Sequence, residues 1–173
     1  MRILVVFESM FGATEEVAEA VGKGLAGTGP VEVVDVGKAP RDLTGVDLLV
    51  AGGPTHVHGM SRAATRKSAA EQVDYPTRSA TGIREWLDSL DPVPDGLAAA
   101  AFDTRMDKPR VFTGAASLGV AKRLRRRGCR LVLPAESFFV GTAPIDAGPE
   151  PGEPERAEAW GAALGAALVR VAG

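Results

Sequence analysis

Hydroxyl side chains cluster in a short turn near the start of the chain, SMFGAT at Ser9–Thr14. An apolar run ends just before this turn at Phe7, and an amphipathic helical pattern that carries Val17 and Val21 follows it. A turn that enters a helix presents free backbone N–H groups beside its hydroxyls, and such a place binds anions, phosphate above all. The pattern therefore predicts a phosphate site, with a plain turn in which Thr14 caps the helix as the alternative.

The turn matches neither of two common nucleotide signatures. It lacks the G-x-x-x-x-G-K-[ST] pattern of nucleotide triphosphatases and the G-x-G-x-x-G pattern of dinucleotide-binding folds. It also contains no lysine or arginine. A phosphate bound there would be held by the N–H and O–H groups of the turn alone.

The other reactive residue types do not form a site by their spacing. His56 and His58 are the only histidines, and zinc takes four ligands that no Cys/His cluster here supplies, so no metal site is predicted. Cys129 opens an apolar strand and is predicted to pack rather than to react. The basic run KRLRRRG at 122–128 is predicted to be the solvated end of a helix rather than a nucleic-acid surface.

Short apolar runs alternate with helical patterns along the whole chain. The runs are continuous rather than alternating, which indicates strands buried on both faces of a parallel sheet. They are Arg2–Phe7, Val31–Val36, Asp47–Gly52, Leu97–Phe102 and Arg130–Leu133, with Phe138–Val140 beyond the last. We therefore predict one α/β domain over residues 1–173, with three layers and a doubly wound sheet of five parallel strands.

Three loops follow the C-terminal ends of the predicted strands: the opening turn, the long segment 53–78 and the segment 102–110. In open parallel sheets, ligands bind at this edge, where the strand order reverses. The three loops are therefore predicted to form one site. The polar stretch SRAATRKSAAEQ within the second loop has the composition of a short helix.

Composition limits the classes of partner. The 173 residues carry a formal net charge of −2, which gives no field for nucleic acid or an anionic membrane. No apolar run approaches the roughly 20 residues of a membrane span. A single cysteine suits a reducing compartment. We predict a cytoplasmic protein without a membrane span or a nucleic-acid partner; the sequence leaves its oligomeric state open.

The stretch VVFESMFGATEEVAEAV, residues 5–21, resembles the first strand, phosphate loop and first helix of the flavodoxin family, in its S-M-x-G-x-T variant. Ser9, Gly12 and Thr14 match the family pattern [ST]-x-[ST]-G-x-[ST], and Phe11 stands where a hydroxyl is usual. DLLVAGGPTHVHGMS and AAAAFDTRMDKP stand in the places of the family's second and third flavin loops. The family's strand order, 2-1-3-4-5, is carried over with the resemblance.

The resemblance implies non-covalent binding of FMN. His56, His58 and Phe102 stand where the family usually presents Trp and Tyr to the flavin, and their smaller stacking area implies weaker binding. The implied phosphate contacts are Ser9, Met10, Phe11, Gly12, Ala13 and Thr14. The implied ring contacts are Pro54, Thr55, His56, Val57, His58 and Gly59 on one side, and Phe102, Asp103, Thr104 and Arg105 on the other. For Asp103 and Arg105, a salt bridge at the surface is the alternative.

The resemblance also implies a redox function, with three alternatives. The first is an electron carrier between a reductase and an acceptor. The second is an FMN-dependent oxidoreductase that acts on NAD(P)H, a quinone or protoporphyrinogen, with cationic residues between Met60 and Arg78 helping to hold an anionic substrate. The third is a fold that has lost flavin and serves as a binding module. The implied partner is accordingly a redox protein or a small-molecule acceptor.

Overall fold

Strands and helices alternate along the chain in a computed structural model that describes residues 1–56, 58–141 and 143–172. The strands are β1 (Ile3–Phe7), β2 (Val31–Asp35), β3 (Leu48–His56), β4 (Gly59–Met60), β5 (Ala98–Met106), β6 (Arg130–Leu131) and β7 (Glu136–Val140). The helices are α1 (Ala13–Leu25), α2 (Ala63–Ala70), α3 (Ile83–Ser89), α4 (Arg110–Thr113), α5 (Ala116–Arg126) and α6 (Glu153–Ala172).

One sheet contains all of these strands, and its main path runs β2-β1-β3-β5-β6. β1 pairs in parallel with both β2 and β3, and β3 pairs in parallel with β5. β2 therefore lies on one side of β1 and β3 on the other, so the strand order reverses between β1 and β3. At such a point the loops that follow the two strands separate and leave a crevice at the carboxyl edge.

The prediction of a parallel α/β sheet is confirmed, but the count of five strands is wrong, because the sheet has seven. β4 is a short antiparallel addition to the end of β3. The predicted run Arg130–Leu133 and the run Phe138–Val140 beyond it fall in two strands, β6 and β7, which pair with different halves of β5. Pro134, which has no N–H to donate to a ladder, stands between the two pieces. With β4 left out and β6 and β7 taken as one interrupted strand, the positions follow the order 2-1-3-4-5.

Helices cover both faces of the sheet. α1 and α6 pack on one face around Val5, Val50 and Phe102, and α3 and α5 pack on the other. Residues 98–101 of β5 are four buried alanines, whose small side chains let both layers approach the strand. α1 and α6 also lie close together, since a Cβ atom added at Gly161 would be 2.3 Å from the Val21 carbonyl oxygen.

The longest described helix, α6, has 20 residues. Its apolar side, with Ala157 and Leu164, is buried in the core. Neither this helix nor any other described one has the length and apolar character needed to cross a membrane.

Candidate functional site

A cavity of about 660 Å³ opens at the carboxyl ends of β1, β3 and β5. The three predicted loops meet there. The turn after β1 contributes Ser9, Met10, Phe11, Ala13 and Thr14 to its wall; the end of β3 contributes Pro54, Thr55, His56 and, after it, His58; and β5 contributes Thr104 and Arg105. A volume of this size is within the range of pockets that bind cofactors and small ligands.

Four of the predicted site residues that the structure describes do not line this cavity. Gly12 and Gly59 lie beside it in its loops. Phe102 is fully buried in the core, where its ring meets those of Phe138 and Trp160 edge to face. Asp103 is fully buried as well, and one of its carboxylate oxygens accepts the backbone N–H of Ser117 at 2.7 Å. Val57 lies outside the described residues.

The end of the cavity formed by the turn after β1 presents backbone N–H groups. α1 begins at Ala13 after Gly12, which is left-handed with φ of 106°. The first intrahelical bond comes from the N–H of Glu16. The three N–H groups of residues 13–15 have no acceptor within the part of the chain that the structure describes. They form a cradle with a positive electrostatic potential, which the helix dipole strengthens.

The hydroxyls of this turn hold its shape. Ser9 is fully buried, and its Oγ accepts the N–H of Gly12 at 3.1 Å. The Thr14 and Thr104 hydroxyl oxygens are 2.7 Å apart, which ties the start of α1 to β5 across the cavity. The turn is thus pre-formed around the free N–H groups.

A distant segment, Arg78–Ser79, clamps the same turn from outside. The N–H groups of Arg78 and Ser79 donate to the carbonyls of Met10 (3.1 Å) and Ser9 (2.9 Å). The Ser79 hydroxyl accepts the N–H of Ser9 at 2.9 Å and donates to a carboxylate oxygen of Asp35. Sequence reasoning missed this clamp because nothing local relates the segment to the turn.

The clamp also brings a cation to a turn that has none of its own. A Cβ atom added at Gly12 would lie 3.0 Å from Cζ of Arg78, so the guanidinium covers this glycine. Arg78 forms an ion pair with Glu15 in the first turn of α1. Its side chain is 58% exposed, so the pair remains accessible to an incoming anion.

A buried carboxylate, Glu8, organises the segments behind the turn. Its two oxygens accept the Ser61 hydroxyl and the backbone N–H of Ile83, the latter at 2.8 Å. The Ser61 oxygen also accepts a bond from Arg66 at 2.9 Å. Burial raises the pKa of Glu8 above its ordinary value, although the bonds from Ser61 and Ile83 oppose this effect.

The loops after β3 and β5 form the other end of the cavity. His56 is half-buried, and its pKa is lowered first by burial and then by the nearby Arg66. His58 is exposed, with φ of 70°. Phe112 lines the cavity with 70% of its surface exposed, which is unusual for a large apolar side chain.

Arg105 lies in the wall at this end with 9% of its surface exposed. One terminal nitrogen donates to the carbonyls of Met106 and Lys108 and to the Thr113 hydroxyl, at 3.3, 2.6 and 3.2 Å. Its Cζ lies 5.0 Å from the centre of the Phe139 ring. Arg105 forms no ion pair within the described residues.

Three further groups of lining residues were not predicted, of which the first is Met106, Phe112 and Thr113 at the end of β5 and in α4. α2 lies along the cavity, and the loop after β7 closes another side. The residues from α2 and just after it are Ala64, Thr65, Ser68, Ala69 and Gln72; those at and after the end of β7 are Val140, Gly141, Ile145 and Gly148. The rule that ligands sit beyond the carboxyl ends of parallel strands would have indicated the loop after β7.

No group of three or more metal-ligating side chains is present in the parts of the chain that the structure covers. The cavity therefore offers hydrogen-bond donors, two arginines at or near its wall and apolar surface. These features suit an elongated ligand with an anionic group at one end and a flat ring system at the other.

Comparison with known proteins identifies the fold. No family model and no curated protein sequence matches the chain. Among solved structures, a flavodoxin from the domain Archaea is similar over 98% of this chain and 99% of its own, with 19% identity and a TM-score of 0.69. Flavodoxin 1 from Bacillus cereus is similar over 98% of both chains, with 21% identity and a TM-score of 0.66.

A larger protein contains the same fold as a part. Rubredoxin oxygen:oxidoreductase from Desulfovibrio gigas matches 98% of this chain over 36% of its own length, with 15% identity and a TM-score of 0.62. At these identities the likeness concerns the fold alone. The chain has the flavodoxin fold.

Proposed function

We propose that this protein binds FMN non-covalently in the cavity and carries electrons between a reductase and an acceptor protein. The observation that carries the proposal is the row of three N–H groups at the start of α1 without an acceptor in the described chain, two of which belong to the cavity-lining residues Ala13 and Thr14. A phosphate group is the ligand that such a row suits best. The Ser9, Gly12 and Thr14 pattern of the S-M-x-G-x-T loop supports the same assignment.

The residues at both ends of the cavity fit the two ends of FMN. The phosphate would take the N–H groups of residues 13–15, with the Thr14 hydroxyl beside them. The flat ring would lie between the loop with His56 and His58 and the loop with Phe112, where the wall offers aromatic and apolar surface. FMN supplies the redox chemistry when bound, and the protein's residues bind it, orient it and exclude water from it.

Exposed apolar side chains near the cavity mouth favour a protein partner. Met106, Phe112 and Ile145 line the cavity and are 41%, 70% and 40% exposed, and Val111 beside them is 79% exposed. A group of exposed apolar side chains beside a binding site often marks a surface that contacts another protein. A partner docked here would come within electron-transfer distance of the ring.

Titration of the flavin-free protein with FMN and with riboflavin tests the binding proposal. FMN is expected to bind at one site and more tightly than riboflavin, which lacks the phosphate. Thr14→Val is expected to weaken FMN binding, since a hydrogen bond to a charged group contributes about 1.5–3 kcal/mol. Thr44→Val, at an exposed position between β2 and β3, is the matched control. Equal affinity for the two flavins would contradict the phosphate assignment.

An FMN-dependent oxidoreductase is the second candidate. The polar side chains of Thr65, Ser68 and Gln72 face the cavity from α2 and the turn after it, and they provide a wall that could orient a small substrate. The purified FMN-loaded protein would then oxidise NAD(P)H with a quinone as acceptor and no other protein present. A carrier would show this turnover only after a reductase is added.

A further inference from the structure

The cavity wall contains a buried arginine that the phosphate end does not need. Thr104 in β5 contacts Thr14 at the start of α1, but side chains alternate along a strand, so Arg105 points to the opposite side, where it donates to the Thr113 hydroxyl. Arg105 stands near the end of β5, beside the loop that carries Phe112. Its charge is therefore placed on the ring side of the proposed FMN site and not beside the free N–H groups of α1.

Hydrogen bonds within the protein leave this guanidinium incompletely satisfied. Its contacts with two carbonyls and a hydroxyl all involve one terminal nitrogen. Its Nε atom is buried without a hydrogen-bond partner among the described residues. Arginine normally uses its planar fork on a carboxylate or phosphate, and none is paired with it in the described parts of this chain.

No carboxylate of the described residues lies within ion-pairing distance of Arg105. Asp103 is the nearest carboxylate along β5, and one of its oxygens is engaged by the N–H of Ser117. Burial raises the pKa of Asp103, and the bonds from Ser117 and Ser137 and the charge of Arg105 oppose this effect. Lys108 and Arg110 add exposed positive charge on the following loop, and Asp107 adds one exposed negative charge.

A buried charge without a counter-ion is costly, and proteins keep such a charge where a ligand completes the pair. A flavin ring is neutral when oxidised and carries a negative charge when fully reduced at neutral pH. We propose that Arg105 is the counter-ion of the reduced flavin ring, so that this site binds reduced FMN more tightly than oxidised FMN. The inference rests on the proposed function.

The expected size of the effect follows from Coulomb's law. A unit charge about 6 Å from an anion, at an effective dielectric constant of about 20, changes an equilibrium about 100-fold before screening by salt. We therefore expect at least a tenfold change in the ratio of the two affinities when the charge is removed. A tenfold change corresponds to about 30 mV in a two-electron midpoint potential.

Redox titration of the FMN-loaded protein tests the proposal with three variants. Arg105→Met is expected to lower the midpoint potential by at least about 30 mV, the equivalent of a tenfold change. Arg105→Lys is expected to retain a potential close to that of the parent. Arg110→Met is the matched control, because it removes an exposed charge from the same part of the chain. Its midpoint potential should differ from that of the parent by less than a third of the shift expected for Arg105→Met. If Arg105 only holds the loop through its carbonyl contacts, the Met and Lys variants will both weaken FMN binding without changing the potential.

If Arg105→Met no longer binds FMN, the proposal is tested on the unaltered protein instead. The reduced, FMN-loaded protein is titrated from neutral to mildly acidic pH, and the absorbance reports the charge of the ring. The anionic form is expected to persist at a pH where free reduced FMN is already protonated. Protonation at the same pH as free FMN would overturn the role of Arg105, and failure of the unaltered protein to bind FMN would overturn the proposed function itself.

Discussion

Replacement of Arg78 by alanine is expected to weaken FMN binding and to leave riboflavin binding unchanged. The Arg78 guanidinium covers Gly12, whose position at the start of α1 would place a bound phosphate within reach of its charge. The side chain is 58% exposed, so most of its attraction to an anion is screened by water. At a separation of about 5 Å and a dielectric constant near that of water, the attraction is about 1 kcal/mol, or about fivefold in Kd.

Glu15 is expected to have the opposite effect on FMN binding. Its carboxylate pairs with Arg78 and stands in the first turn of α1, where it repels a phosphate. Glu15→Gln is therefore expected to tighten FMN binding severalfold. The same change removes a carboxylate that is favourable at a helix N-terminus, at a cost of about 0.3–1 kcal/mol in the free energy of unfolding.

Fluorescence titration of each variant with FMN and riboflavin, at low and high salt, measures these effects. The Arg78→Ala effect should shrink as salt rises, because the charge is exposed. Arg123→Ala is the matched control, since Arg123, which is 24% exposed, forms an ion pair with the exposed Asp88, at 3.0 Å, away from the cavity. An unchanged Kd for FMN in Arg78→Ala, or an equal loss of affinity for both flavins, would refute the reasoning.

Three further predictions concern the turn, the buried carboxylate and the ring end. Gly12→Ala forces a side chain into φ of 106° and against Arg78, so we expect about 1–2 kcal/mol of lost stability by thermal unfolding, together with weaker FMN binding. Because burial raises the pKa of Glu8 above 4.5, the folded state binds more protons than the unfolded state just above that pH, and stability falls as pH rises through this window. Urea unfolding should therefore show Glu8→Gln gaining stability relative to the parent as pH rises, and a difference independent of pH would contradict this. Phe112→Ala should weaken FMN and riboflavin equally, by about 0.5–1.5 kcal/mol in titration, whereas Val111→Ala, beside it and outside the cavity wall, should change neither.

The sheet and the position of the cavity were predictable because both depend on patterns that are local in the sequence. Continuous apolar runs identified the parallel strands, and the turn before α1 identified the pre-formed row of N–H groups. The strand count failed at Pro134, because the two apolar runs on either side of it form separate strands, β6 and β7, and only one of them was counted. It failed again at β4, a strand of two residues inside a polar loop.

Phe102 shows a different limit. The predicted strand ended there, which placed the ring in a loop, but β5 continues to Met106. Side chains alternate along a strand, so Phe102 points to the same face as Ala98 and Ala100, and this face is covered by α1 and α6. The polar residues Asp103, Thr104 and Arg105 had suggested a loop, although each of them is buried inside the sheet.

Arg78 shows what sequence could not supply. It is separated from Gly12 by most of the first half of the chain, and only the packing of the segment after α2 against the turn brings the two together. The sequence therefore predicted a phosphate turn without a cation, whereas the folded chain places the guanidinium of Arg78 beside this turn. Contacts of this kind depend on tertiary structure and leave no periodic signal in either segment.

A crystal structure of the protein with FMN bound would test the central claim most directly. The account predicts the phosphate at the N–H groups of residues 13–15 and the ring between the loops that carry His56 and Phe112. FMN bound with its phosphate elsewhere, or crystals grown with saturating FMN that contain none in this cavity, would contradict it.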